Sequence, residues 1–252
     1  HSISVPLAGH ALAEGEPTVE AYRALYAALA ERWAEDGFFA HHVAIRADDE
    51  AIREAWFLLG FGANATFATR SAAPLEAGVS ASAVGVEVHR ASVEELPVIR
   101  HLDELESLHH RESPIFWPHL GRDVARAVEA FQRAALEGAE NPIFVATRDG
   151  RPVAMHFVMR SGGFGGRLSA PDRSLYLYQA IVEPEARGGG VGTLLLQHTL
   201  DWARGEGFEW INLHYASMNP SGAPFWQHHG FTPLEISIER MLDERIAWAK
   251  KR

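Results

Sequence analysis

Apolar and polar positions in the last third of the chain follow a strand–turn–helix pattern. A run of mostly apolar residues at 175–182 predicts a buried strand, and apolar residues at helical spacing over 191–202 predict a helix. Between them lies the hexapeptide Arg187-Gly188-Gly189-Gly190-Val191-Gly192. Glycines allow the backbone to approach a ligand closely, and the N-terminus of the following helix attracts anions. The pattern therefore predicts a loop that can hold a pyrophosphate.

Two other phosphate-binding motifs also contain glycine-rich loops. A Walker A loop needs a lysine after its last glycine, whereas Gly192 is followed directly by Thr193. A dinucleotide-binding loop requires an acidic residue about 20 positions further on. Because Glu206 and Glu209 lie in that region, spacing alone leaves this second motif open.

The same patterns extend upstream. They predict one strand, two helices and a hairpin, in the order strand 85–90, helix from Ser92, helix 122–136, and strands 141–148 and 152–160. Ser92 and Glu95 have the spacing of a capping box, which marks a helix start. Asp149-Gly150 is a strong hairpin-turn signal. Together these elements predict an α/β (α+β) fold with a mixed central sheet flanked by helices.

The chain also matches itself at an offset of 170 positions. Gly37-Phe38 aligns with Gly207-Phe208, Trp56 with Trp226, and Gly60-Phe61 with Gly230-Phe231. The apolar segment 5–12 falls on 175–182. This register predicts, for residues 1–70, the order strand, helix 19–35, strand 38–45, helix 49–59 and strand 62–70.

We interpret this repeat as a partial, degenerate first copy of the fold. The predicted division is 1–70 for the partial copy, 71–84 for an Ala- and Ser-rich linker, and 85–252 for the complete copy. Positions 17–22, which align with the glycine loop, hold no glycine, and Glu20 would repel a phosphate. The front half of this copy is missing from the sequence, and three explanations stay open: it was lost in evolution, it was cut away, or it lies before His1.

Composition narrows the functional classes. The chain has 252 residues, no cysteine, 47% hydrophobic residues and a formal net charge of −10. The lack of cysteine excludes disulfides and thiolate metal sites, and the negative charge disfavours nonspecific nucleic-acid binding. Adjacent histidines at 41–42, 109–110 and 228–229 point apart on a helix or strand, so we expect no metal site. We expect a cytoplasmic monomer or homodimer that binds neither nucleic acid nor membrane.

Two motifs in order carry a resemblance. Val182-Glu183-Pro184 precedes the glycine loop, and Asn219 begins a segment that ends in Gly230-Phe231. Over about residues 86–242 the chain resembles the GCN5-related N-acetyltransferases, whose signature is Arg/Gln-x-x-Gly-x-Gly/Ala. The resemblance implies the fold of that family and an acetyl group moved from acetyl-CoA to an amine acceptor by direct attack, without a metal.

The resemblance also implies which residues contact acetyl-CoA. Backbone groups of Ile181 and Val182 would bond the pantetheine arm, and Asn219, Phe225 and Trp226 would flank it. The loop amides would hold the pyrophosphate, and their residues are Arg187, Gly188, Gly189, Gly190, Val191, Gly192 and Thr193.

The catalytic acid and base are less clear from the sequence. Many family members have a tyrosine at the position of Trp226, and an indole N–H cannot protonate a leaving thiolate. Proton handling is assigned to His214, with Tyr178, Tyr176 or a water chain as alternatives. Strand alternation places His214 on the same face as Asn212, toward the open side of the cleft.

Three functions stay open on the sequence. The first is an acetyltransferase acting on a small-molecule amine, with Ile115-Phe116-Trp117 as a candidate hydrophobic wall for the acceptor. The second is a protein acetyltransferase acting on a lysine or an N-terminus. The third is a catalytically inactive module that senses acyl-CoA.

Overall fold

The computed structural model describes residues 1–76, 83–117, 122–138, 140–160 and 171–249. Within these ranges the chain forms two compact units, one of residues 1–69 and 214–249 and one of residues 70–160 and 171–213. The strands are β1 (Ser2–Val5), β2 (Ala40–Arg46), β3 (Gly62–Ser71), β4 (Val86–Arg90), β5 (Ile143–Arg148), β6 (Arg151–Met159), β7 (Ser174–Val182), β8 (Trp210–Ala216) and β9 (Thr232–Met241). The helices are α1 (Thr18–Glu35), α2 (Glu50–Leu58), α3 (Leu96–Arg111), α4 (Arg122–Glu137), α5 (Val191–Gly205), α6 (Gly222–His228) and α7 (Ile246–Ala249).

The first unit is built on strands in the order β1-β2-β9-β3. β1 runs parallel to β2, and β9 is antiparallel to both β2 and β3. Its core is aromatic: Tyr22 and Tyr26 of α1 contact the ring of Trp56 on α2, which in turn contacts Phe61. The C-terminal strand β9 thus lies between two strands of the N-terminal segment.

The second unit has strands in the order β8-β7-β6-β5-β4, with helices on both faces. Ile99 and Leu102 of α3 share one core with Val145 and Phe157 of the sheet. On the opposite face, Phe144 contacts the rings of His198 and Trp202 on α5. Alternate residues of one strand therefore reach helices on opposite sides. The predicted mixed sheet flanked by helices is confirmed.

Backbone details repeat at the offset of 170 residues. Gly37 and Gly207 both have positive φ, 84° and 83°, and each follows a helix C-terminus. Strands β2 and β8, and strands β3 and β9, have bounds that differ by the same 170 positions. The repeat seen in the sequence is therefore also a repeat of local structure.

Two hydrogen bonds between the copies, beside strands β9 and β3, follow the same offset of 170 residues. The Ala47 amide donates to the Leu234 carbonyl at 3.0 Å, and the Ser217 amide donates to the Asn64 carbonyl at 2.8 Å. Positions 47 and 64 of the first copy correspond to positions 217 and 234 of the second copy. The first copy donates in one bond, and the second copy donates in the equivalent bond. Within the first unit the two copies are therefore related by an approximate two-fold exchange.

The predicted first strand, 5–12, is wrong. β1 covers Ser2–Val5, and Leu7–Gly9 forms a 3₁₀ turn. Pro6 has no N–H to donate to a neighbouring strand, which favours an end to the pairing there.

The predicted division into a partial copy, a linker and a complete copy stays a prediction. Residues 77–82 of the predicted linker lie outside the described ranges. The part before them is held to the second unit, since the Ala72 amide bonds the Glu209 carbonyl at 2.7 Å and the Leu75 amide bonds Gln197 Oε1 at 3.3 Å. No helix in the described ranges is long and apolar enough to cross a membrane.

A buried histidine makes the stability of the second unit dependent on pH. His156 is 2% exposed, and its Nδ1–H donates to Thr199 Oγ1 at 2.9 Å, because the Thr199 hydroxyl donates to the Leu195 carbonyl. Burial, aided by the nearby His198, lowers the pKa of His156 to about 3. Its ordinary pKa is about 6.5. The unfolded chain therefore takes up a proton below pH 6.5 that the folded chain refuses, and stability is lost as the pH falls.

We expect the free energy of unfolding to fall by about 2 kcal/mol between pH 7.5 and pH 5 because of this residue. His156→Gln, which does not titrate, should remove that part of the pH dependence in urea unfolding. His228→Gln, at an exposed position, is the matched control and should keep it. Equal pH dependence in the wild type and His156→Gln would contradict the assignment.

Candidate active site

β7 is paired on its two edges over different lengths. Toward β6 the antiparallel register runs from Tyr176 to Val182, with an irregularity near Tyr178. Toward β8 the parallel register covers Ser174 to Tyr176 only, and Tyr176 is opposite Asn212. The two parallel strands thus part after this pair. Asn212 is 8% exposed, and neither polar atom of its side chain has a hydrogen-bond partner in the described ranges.

The glycine loop leads directly from β7 into α5. Gly188 and Gly190 have φ angles of 75° and 79°, which glycine adopts without strain. Gly190 caps the helix, and the first helical hydrogen bond runs from the Leu194 amide to its carbonyl at 2.9 Å. The amides of the first turn, at Val191, Gly192 and Thr193, precede that bond, as expected for a helix N-terminus that attracts anions.

The side chain of Arg187 connects the glycine loop to the end of β7. Its Nε donates to the Val182 carbonyl at 3.0 Å. The neighbouring Glu183 is 4% exposed and accepts a hydrogen bond from Arg151 Nη2 at 2.7 Å. The strand end and the loop are therefore fixed by two arginines.

Two carboxylates of α3 face β7. Gln179 Nε2 donates to Asp103 Oδ1 at 2.5 Å and to Glu106 Oε2 at 2.9 Å. Burial, followed by the charge of Asp103, raises the pKa of Glu106 to about 8, against hydrogen bonds from Gln179 and the Ala180 backbone. A carboxyl group with such a pKa can exchange a proton near neutral pH. Burial also raises the pKa of the adjacent Tyr178, and the charge of Glu106 raises it further.

The tyrosines predicted as catalytic lie on the same strand. Tyr176 is 1% exposed, and burial raises its pKa further above the neutral range. The half-buried ring of Tyr178 packs edge-on against Phe131 and Phe157. Ile181, with Val182, ends the strand just before the loop, so the predicted pantetheine-contacting positions and the loop are contiguous in the second unit.

The remaining predicted site residues belong to the first unit. His214 stacks on Phe67 with ring centroids 5.5 Å apart, and burial lowers its pKa. Asn219 Oδ1 accepts from the amide of Gly222 at 2.9 Å and so caps α6. Phe225 and Trp226 on that helix contact each other edge-on at 4.8 Å. Within the described ranges no group of three His, Asp or Glu residues could hold a metal ion.

Residues 102–231 match the family described as Acetyltransferase (GNAT) family. The chain belongs to this family. The match includes α3 from Leu102 onward, the whole of β7, the glycine loop and the segment from Asn219 to Phe231.

Individual relatives match more weakly. A 73-residue segment is 30% identical to a mycothiol acetyltransferase from Beutenbergia cavernae, covering 29% of this chain and only 25% of that protein. A GCN5-related N-acetyltransferase from Sphaerobacter thermophilus is 12% identical with a TM-score of 0.58, over 88% of this chain and 68% of that chain. A tandem GNAT protein from the clavulanic acid biosynthesis pathway is 16% identical with a TM-score of 0.53, over 92% and 73%. At these identities the two structures show the fold alone, and the second of them is described as a tandem GNAT protein.

Sequence analysis of this GNAT chain missed Glu106. Its signal was present: on α3, Ile99, Leu102 and Glu106 follow helical spacing, so a carboxylate occupies a position expected to be apolar. The residues predicted for proton transfer, His214, Tyr178 and Tyr176, lie on the neighbouring strands β7 and β8, whereas the carboxylate comes from a helix packed on β7. Only the packing of α3 on β7 reveals the pair with Asp103.

We expect the raised pKa of Glu106 to reduce stability as the pH rises. The folded chain keeps a proton between pH 4.5 and pH 8 that the unfolded chain releases, so stability falls across this range and the loss is complete above pH 8. Glu106→Gln keeps the hydrogen-bonding oxygen without the charge. In urea unfolding at pH 9 it should be more stable than the wild type by at least about 1 kcal/mol.

Glu104→Gln is the control, because Glu104 is exposed on the same helix. It should leave the pH dependence unchanged. If the difference in unfolding free energy between the wild type and Glu106→Gln is the same at pH 5 and pH 9, the shifted pKa is contradicted.

Proposed function

We propose that this chain transfers an acetyl group from acetyl-CoA to a primary amine by direct attack. The observation that carries the proposal is the junction of β7 and α5 in a GNAT family member. There, a strand that has parted from its parallel neighbour leads into a glycine loop at a helix N-terminus. This arrangement suits a thioester beside the strand and a pyrophosphate on the loop.

The cofactor assignments differ in their support. The amides from Arg187 to Thr193, and the backbone of Ile181 and Val182, are supported by the contiguous geometry of the strand and loop. The buried, unpartnered side chain of Asn212 beside the last β7–β8 pair is suited to a polar group of a ligand. The assignments of Asn219, Phe225 and Trp226 rest on the motif and stay predictions.

The first copy is proposed to bind no CoA. Its strand β1 ends at Val5, and His10 Nε2 donates to the Ala44 carbonyl at 2.8 Å, next to the last β1–β2 pair at Val43. His10 Nδ1 then accepts from the Tyr22 hydroxyl at 2.9 Å. A side chain of the protein thus bonds the backbone beside the last β1–β2 pair, and positions 17–22, which align with the glycine loop, hold no glycine.

In the proposed reaction the amine nitrogen attacks the thioester carbonyl carbon. A C–N bond forms, the C–S bond breaks, and the amine proton passes to the Glu106 carboxylate, directly or through water. The CoA thiolate leaves and takes up a proton. Glu106 fits the role of base because its pKa is close to neutral pH. His214, Tyr178 and Tyr176 are the alternatives for proton transfer, and Trp226 is not suited to act as the acid.

A small-molecule amine is the acceptor we favour. The aligned relative is named as a mycothiol acetyltransferase, and the carboxyl groups of Asp103 and Glu106 offer acceptors to a cationic amine. A lysine or N-terminus of a protein is the alternative acceptor.

Gly190→Glu tests the loop assignment. It places an anion and a side chain at a positive-φ position where the backbone must meet phosphate. In calorimetric titrations the wild type should bind one acetyl-CoA per chain, and the variant should bind at least about tenfold more weakly. Gly207→Glu carries the same backbone strain at φ 83° at the other end of α5 and should bind normally.

Two binding sites per chain would contradict the degenerate first copy. Unchanged affinity in Gly190→Glu would remove the loop from the cofactor site. Acetyl-CoA binding without thiol release over a broad amine panel would favour the inactive sensor.

Glu106→Gln tests the base. With an accepted amine, wild-type kcat/KM should rise with pH to an inflection near 8, and the variant should lose this inflection together with about 100-fold or more of the rate. CoA affinity should be unchanged. Glu104→Gln should behave as the wild type. If Glu106→Gln keeps full rate while His214→Ala or Tyr178→Phe loses it, the base is one of these residues instead.

A further inference from the structure

Arg148 lies against the glycine loop within the second unit. It is the last residue of β5, just before the Asp149-Gly150 turn. A Cβ atom placed on Gly189 would be only 2.9 Å from Arg148 Nη2. The guanidinium therefore occupies the space that a side chain at position 189 would need.

The guanidinium of Arg148 has no counter-ion in the described ranges. Its Nε is buried and has no hydrogen-bond partner there, and the described residues form no ion pair with it. The neighbouring arginines differ, since Arg151 pairs with Glu183 and Arg187 bonds the Val182 carbonyl. In a chain with a net charge of −10, an arginine packed without an acidic partner beside a helix N-terminus is costly unless an anion compensates it.

Gly189 gives an independent reason to connect this arginine with the loop. The family signature Arg/Gln-x-x-Gly-x-Gly/Ala leaves position 189 variable, and among the loop glycines positive φ is recorded at Gly188 and Gly190. Backbone conformation therefore does not explain a glycine at 189. The close approach of Arg148 is consistent with a glycine here, because a Cβ at position 189 would make the guanidinium shift.

We propose that Arg148 binds the pyrophosphate of CoA as a charged partner of the loop amides. This proposal rests on the proposed function, because it requires CoA at the loop. A guanidinium donates several N–H groups in one plane and suits a pair of phosphate oxygens. The motif supplies backbone donors, and this chain adds a side chain from a strand outside the motif.

The first experiment measures CoA affinity by calorimetry. Arg148→Gln should weaken CoA binding at least about tenfold and reduce the dependence of Kd on salt. Arg126→Gln, which removes the same charge at an exposed position on α4, should stay within about twofold of the wild type. Arg148→Lys should recover part of the loss. Thermal unfolding without ligand checks that each variant is folded.

The second experiment removes the space instead of the charge. Gly189→Ala should weaken CoA binding in the wild-type background, because the new Cβ displaces the guanidinium. In the Arg148→Gln background it should have no further effect, so the two changes should be strongly non-additive.

The ligand 3′-dephospho-CoA identifies the phosphate concerned. The ratio of its affinity to that of CoA should be the same in the wild type and Arg148→Gln. If the wild type distinguishes the two ligands and Arg148→Gln binds them with equal affinity, the pyrophosphate assignment is overturned in favour of the 3′-phosphate. Equal CoA affinity in the wild type and Arg148→Gln would overturn the proposal, whereas a wild type that binds no CoA would overturn the proposed function itself.

Discussion

The parting of β7 from β8 is the constraint on which the second unit depends. The strands pair from Ser174 to Tyr176, and β7 then continues to Val182 with β6 as its described neighbour. Backbone groups on the edge facing away from β6 must still find hydrogen-bond partners. A ligand with an extended amide-bearing arm can supply them. The end of the same strand leads into the glycine loop, so one irregularity in pairing provides two parts of the proposed cofactor site.

Two ionisable side chains near this strand are placed unfavourably for folding alone. Glu106 lies at a core-facing position of α3, and Arg148 packs on the loop without an acidic partner. A chain selected for stability alone would replace both with apolar or paired residues. Their positions, one beside the middle of β7 and one beside the loop that follows it, match the two ends of the proposed reaction: proton removal at the acyl group and anchoring at the phosphates.

Single helices, strands and turns of this fold were predictable from the sequence, whereas the pairing of the strands was not. The start of α5 at Val191 follows from the glycine loop, and the Asp149-Gly150 turn lies where the dipeptide predicted it. The strand over 5–12 was wrong because a run of apolar residues outweighed Pro6. The insertion of β9 between β2 and β3 could not be predicted, since apolar alternation states that a strand is buried but not which strands it joins.

Comparison of the two copies separates what the fold needs from what the chemistry needs. Asp49 caps α2 by accepting from the Ile52 amide at 2.9 Å, as Asn219 does for Gly222 at the same distance. A side-chain oxygen at this position is therefore explained by capping in both copies, and any role of Asn219 toward a ligand must rest on its amide nitrogen, which Asp49 lacks. The glycine loop has no counterpart in the first copy, where positions 17–22 hold no glycine and His10 bonds the Ala44 carbonyl beside the last β1–β2 pair. Features shared by the copies thus mark folding requirements, and features found in one copy only mark the site.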